Sequence, residues 1–188
     1  MLRILCLHGY HGSADILRRQ MAPLASSISE VEFVYVDAPS LAAGDFGWWH
    51  SPARGWDRTR DWAIDVLGGP PGFDGVLGFS QGAAFTGLLA GMHQASTVRF
   101  DFAVLVSGFT NDAHELAALY RPRFTVPSLH IISRTDSIVP PRESHSLAEQ
   151  FVNPVIIEHT GGHIVPNTPA VVDGVGRFLN AREPSRLD

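Results

Sequence analysis

The stretch Gly75-Val76-Leu77-Gly78-Phe79-Ser80-Gln81-Gly82-Ala83-Ala84-Phe85 decides the reading of this chain. An apolar run breaks at Gly78-Phe79-Ser80-Gln81-Gly82 and continues as a helix-forming segment. A strand that turns into a helix at Gly-x-Ser-x-Gly is the setting of a nucleophile elbow, in which the serine sits on a sharp, strained turn with its hydroxyl exposed. Glycines on both sides are required because a Cβ there would meet the neighbouring strand or helix. Ser80 is therefore the candidate nucleophile, and the rest of the chain must supply a base, an acid and oxyanion donors.

Outward from the elbow, short apolar runs alternate with segments of helical period. The runs Leu2–Leu7, Val31–Val36, Gly75–Phe79, Phe102–Val106, Ser128–Ile132 and Pro154–Glu158 read as strands, several of them apolar almost throughout, as in a parallel sheet covered on both faces. Leu17, Met21, Leu24 and Ile28 form one helical stripe after a Ser13 N-cap, with Pro23 predicting a kink or restart. Helices are predicted over Arg58–Leu67, Gln81–His93, Arg142–Phe151 and Pro169–Leu179. The alternation predicts an α/β domain with a doubly wound and mostly parallel sheet of about six strands flanked by helices. Residues 1–182 read as a single domain, with Glu183 to Asp188 a frayed tail.

Composition narrows the function. The 188 residues are 45% hydrophobic and 18% charged, and 14 basic against 19 acidic residues give a net charge of −5. Without a Lys/Arg cluster, nucleic acid and anionic membrane surfaces are excluded as principal partners. Cys6 is the only cysteine and lies inside the first apolar run, so neither a disulfide nor a thiolate metal site is expected. No signal segment or long apolar span is visible, and a cytoplasmic protein is expected.

The chemistry comes from two further loops. Ser133-Arg134-Thr135-Asp136 follows the fifth strand, and His159-Thr160-Gly161-Gly162-His163 follows the sixth. Both lie at carboxyl strand ends, on the sheet edge that carries Ser80. The order Ser, Asp, His is that of the α/β-hydrolases. His163 is the expected base, with His159 its rival, and Asp136 is the expected acid, with Asp112 a competitor. The oxyanion donors are expected to be the Gln81 N–H, at a helix start, and the Tyr10 N–H, in the loop after the first strand. Two long connections, Ala38 to Trp56 and Gly108 to Val126, are expected to shape the substrate pocket. Its candidate lining is Trp48, Trp49, Phe109, Val139 and Ile164. No cofactor and no metal are expected, because no histidine pair has metal-ligand spacing.

Four segments together resemble the FSH-type family of serine hydrolases. They are Leu5-Cys-Leu-His-Gly9-Tyr, Gly44-Asp-Phe-Gly-Trp-Trp-His50, Gly75-Val-Leu-Gly-Phe-Ser-Gln-Gly-Ala83-Ala and His159-Thr-Gly-Gly-His163-Ile-Val-Pro166. Acyl-protein thioesterases share Gly-Phe-Ser-Gln-Gly, but the Trp-Trp loop and the Gly-Gly-His-x-Val-Pro ending favour the FSH type. The resemblance implies an α/β-hydrolase fold and a metal-free Ser80/Asp136/His163 triad acting on carboxylic esters or thioesters. Some fungal members are trans-acting thioesterases that release polyketides, which brings an acyl carrier protein in as a partner. The alternative class is a non-catalytic small-molecule-binding module on a hydrolase fold.

Overall fold

A computed structural model describes residues 1–42 and 45–182. Gly44 of the Trp-Trp segment and the expected frayed tail thus lie outside the described residues. Among the described residues eight strands and five α-helices follow in the order β1 (Leu2–Leu7), α1 (Ala14–Ala25), β2 (Val31–Val36), β3 (Ser40–Ala42), β4 (Asp45–Gly47), α2 (Trp56–Gly68), β5 (Gly75–Phe79), α3 (Gln81–Gln94), β6 (Phe102–Val106), β7 (Ser128–Ser133), α4 (Pro141–Ala148), β8 (Val155–His159) and α5 (Pro169–Asn180). A 3₁₀ segment, His114–Tyr120, lies between β6 and β7.

Six strands form one sheet in the order β2-β1-β5-β6-β7-β8, and every pairing in it is parallel. The chain winds outward from β1 to β2 and then from β5 to β8. The order therefore reverses between β1 and β5, and a crevice opens at their carboxyl ends, where open α/β sheets bind ligands. Two apolar layers hold the sheet. Leu17 and Met21 of α1 and Val175 and Phe178 of α5 pack on one face with Ile4, Leu77, Val104 and Ile131. Phe85, Leu88 and Leu89 of α3 and Leu147 of α4 cover the other, joined by Trp48 and Trp56. β5 and β6 are buried at every residue, which is why they read as unbroken apolar runs.

Three details differ from the sequence reading. Helix α1 does not restart at Pro23 but ends shortly after it, at Ala25, closing within one turn of the residue that cannot donate to the backbone ladder. Ile28 lies beyond the helix and packs on the core from the following loop. The start of α1 is capped twice, by Ser13 Oγ accepting the Ile16 N–H and Asp37 Oδ1 accepting the Ala14 N–H. The second cap comes from beyond β2 and has no local signal. Third, the Ala38–Trp56 connection contains the antiparallel pair β3–β4, with three residues per strand, too few to produce a readable period.

Candidate active site

The elbow is built by exclusion. Ser80 has φ 56° and ψ −118°, a conformation a non-glycine residue holds only where its surroundings over-determine it. Its N–H donates to Val106 O at 2.9 Å, fixing the turn to β6. A Cβ on Gly78 would lie 2.1 Å from Gly82 O, and one on Gly82 would lie 2.0 Å from Leu7 O. Helix α3 can therefore start directly against the end of β1 only with glycine at both positions.

His163 reaches Ser80 from the loop after β8. Its Nε2 lies 3.0 Å from Ser80 Oγ, and its Nδ1 lies 2.7 Å from Asp136 Oδ2. Asp136 is buried, and its other oxygen accepts the N–H groups of Ile138 (2.8 Å) and Val139 (2.9 Å). Burial alone would raise its pKa, but the bonds from His163, Val139 and Ile138 outweigh that and hold the carboxyl below its usual range. A carboxylate can only accept, so Nδ1 carries the proton and Nε2 accepts from the Ser80 hydroxyl. Phe79 backs the imidazole, ring centroids 4.9 Å apart.

The two rivals occupy other places. Asp112 lines the cavity in front of Ser80; Asp136 is the carboxylate that His163 touches. His159 is buried, and its Nδ1 accepts the Gly161 N–H at 3.0 Å.

The β1–α1 loop touches the elbow closely: a Cβ on Gly9 would lie 3.3 Å from Ser80 Cβ. Tyr10 follows it, and Gln81 opens α3 beside Ser80. Neither backbone N–H donates to a protein acceptor among the described residues.

In front of Ser80 is a cavity of about 620 Å³ whose walls include Tyr10, Trp49, Phe109, Ile138, Val139 and Pro140. Of the five residues expected to line it, Trp49, Phe109 and Val139 do so. Trp48 and Ile164 do not. Trp48 is fully buried, its indole N–H donating to His8 O at 2.7 Å and its ring stacked near Phe85 and Trp62. Both tryptophans are buried, and the chain bends at Trp48 just after β4, so that Trp48 fills the core while Trp49 reaches the cavity wall. Ile164 is 47% exposed and packs towards Gly161, outside the cavity.

Sequence reasoning missed the side chain of Gln81. It is buried, accepts the Trp48 N–H at 3.0 Å and donates to Trp49 O at 2.8 Å. The residue after the serine thus ties the tryptophan segment to the elbow. A polar amide opening the apolar helix Gly82–Met92 was the available signal. His8 was missed as well. Its Nε2 accepts the Ala38 N–H and its Nδ1–H donates to Gly9 O, and burial lowers its pKa, keeping it neutral.

Among the described residues no group of three or more His, Cys, Asp or Glu could hold a metal ion, and no helix is long and apolar enough to cross a membrane.

Sheet order, the strained serine and the serine–imidazole–carboxylate line define an α/β-hydrolase. Within that class, the chain belongs to the serine hydrolase (FSH1) family, whose family model matches residues 1–175. It is 33% identical over 218 residues to human esterase OVCA2, covering 95% of this chain and 96% of that protein. It is 34% identical to esterase OVCA2 of Xenopus tropicalis, covering 88% and 86%. Among solved structures it is similar to acyl-protein thioesterase 2 of Zea mays, with a TM-score of 0.71, 21% identity and coverage of 96% and 93%.

Proposed function

We propose that this protein hydrolyses carboxylic esters or thioesters through an acyl-enzyme on Ser80. The observation that carries the reading is the unbroken line Asp136 Oδ2–His163 Nδ1, 2.7 Å, and His163 Nε2–Ser80 Oγ, 3.0 Å, ending at the cavity. Residues 1–182 are, on this reading, one catalytic domain.

Ser80 Oγ attacks the acyl carbon while His163 Nε2 takes its proton, and Asp136 holds the resulting imidazolium. The Tyr10 and Gln81 N–H groups receive the oxyanion, the second strengthened by its place at the start of α3. Collapse breaks the bond from the acyl carbon to the leaving oxygen or sulfur, which departs with the proton from His163. Water, deprotonated by the same imidazole, then attacks the acyl-enzyme and releases the acid and free Ser80. The apolar walls at Trp49, Phe109, Val139 and Pro140 suit an acyl chain, and the esterase names of the relatives agree with that chemistry. A carrier-protein thioester is the finer form of the reading, supported by the spare cap: the β6–β7 connection holds a single 3₁₀ segment. Among the described residues no Lys or Arg lines the cavity, so on this reading the phosphate of a carrier arm would stay in solvent.

The test is turnover of p-nitrophenyl acyl esters together with labelling by a fluorophosphonate. The parent is expected to form an adduct on Ser80, and Ser80→Ala to lose both labelling and turnover. Full turnover in Ser80→Ala would overturn the reading, and a folded parent that takes no label would favour the binding module. Carrier off-loading requires a carrier-bound thioester to be cleaved faster than the free acyl ester; equal or slower cleavage removes it.

A further inference from the structure

His163 stands on an irregular loop that ought to be loose. Thr160 and Gly161 are exposed, Gly162 has φ +75°, and two consecutive glycines leave the backbone many alternatives. Yet three consecutive backbone segments of that loop are tied by side chains. Thr135 Oγ1–H donates to Thr160 O at 2.9 Å. The Gly162 N–H donates to Ser133 Oγ at 3.1 Å, with Thr135 Oγ1 at 3.2 Å as a second acceptor. The Gly161 N–H donates to the His159 imidazole at 3.0 Å. Parallel pairing sets Ser133 opposite His159, so the ends of β7 and β8 grip the loop between them.

We propose that His159 is a positioning residue: by accepting the Gly161 N–H on Nδ1, it fixes the loop that presents His163 to Ser80 and Asp136. The inference rests on the reading of His163 as the base. Two features separate it from simple core filling. First, with Nδ1 accepting, the neutral ring carries its proton on Nε2, and that nitrogen is buried with no hydrogen-bond partner among the described residues. An orphaned buried donor costs free energy that an apolar side chain of similar size would avoid, so stability does not account for an imidazole here. Second, the ties are unequal in redundancy. Among the described residues Gly162 has two hydroxyl acceptors, whereas the Gly161 amide has the His159 ring alone as a side-chain partner. A Cβ on Gly161 would come within 3.1 Å of that nitrogen, the mark of a close fit.

The experiment compares His159→Leu and His159→Asn with the parent on a p-nitrophenyl ester, with Ser80→Ala and His163→Ala as controls. Leucine removes the acceptor and the orphan together, while asparagine puts Oδ1 near the position of Nδ1. His159→Leu is expected to keep the parent's melting temperature or exceed it, because Gly161 is exposed and its N–H can turn to water. Its kcat is expected to fall about tenfold or more at unchanged KM, as a displaced base requires. His159→Asn should recover most of that loss. Parental kcat in His159→Leu, a loss confined to KM, or an equal loss in His159→Asn would overturn the inference. Should His159→Leu fail to fold, His159→Gln replaces it. Its acceptor is shifted by one carbon, and a kcat equal to that of His159→Asn would likewise overturn the role. Active His163→Ala or Ser80→Ala would instead defeat the reading of the site itself.

Discussion

At Asp136 the direction of every hydrogen bond follows from one charge. The carboxylate accepts from His163, Ile138 and Val139, so the imidazole has no choice of tautomer and its Nε2 faces Ser80 as an acceptor. Asp136→Asn keeps the size and reverses that logic. Its amide N–H₂ can donate to Nδ1, which turns Nε2 into a donor aimed at a hydroxyl it should deprotonate. We expect kcat to fall about 10⁴-fold with KM little changed, measured on a p-nitrophenyl ester; a loss under tenfold would contradict the assignment. Ser80, Asp136 and His163 were legible because each stands at a strand end beside its own glycines or turn residues. The contacts of His159 and the side chain of Gln81 were not. A buried polar group is satisfied by whatever the fold brings next to it, and Gln81 meets Trp48 and Trp49 from more than thirty residues away.

At the scale of elements, glycine has opposite meanings at Gly82 of α3 and Gly176 of α5. Gly82 sits where a Cβ would strike the backbone of β1, and a strand cannot retreat as a side chain can. Gly82→Ala should lose about 3 kcal/mol in urea unfolding, together with ester turnover. Gly176, inside α5, has nothing within 4 Å of a built Cβ. Gly176→Ala should gain about 0.5–1 kcal/mol by restricting the unfolded chain, with activity unchanged. If both variants were neutral, the packing account of the elbow would fail. Helices and strands were legible where period and length were sufficient. The β3–β4 pair and the different places of Trp48 and Trp49 were not, because three-residue strands carry no period and two adjacent buried tryptophans give no local sign of which one reaches the cavity.

Across the whole molecule, burial makes the histidines a source of acid sensitivity. Burial, helped by nearby His145, pushes His130 down to about 3, and burial also lowers His8 and His159. An unfolded histidine titrates near 6.5, so below that pH the unfolded chain binds protons that the folded protein refuses. Stability therefore falls as pH falls, for His130 from about 6.5 down to about 3, by roughly 1.4 kcal/mol per pH unit. Urea unfolding should show a loss of at least about 2 kcal/mol between pH 7.5 and 5; a midpoint unchanged over that interval would contradict it. His130 was visible in the sequence only as a histidine inside a strand, since a pKa depends on the dielectric and the charges that folding assembles. The sequence by itself determined the layered α/β architecture, the elbow and the placing of Ser80, Asp136 and His163 at strand ends in that chain order, because period, glycine placement and strand ends are local properties of the chain. Only the tertiary structure decided which carboxylate and which imidazole meet Ser80, which tryptophan walls the cavity, and what holds the His163 loop. Those outcomes turn on ångström-scale distances between segments brought together from β5, β7 and β8, and no local pattern encodes them.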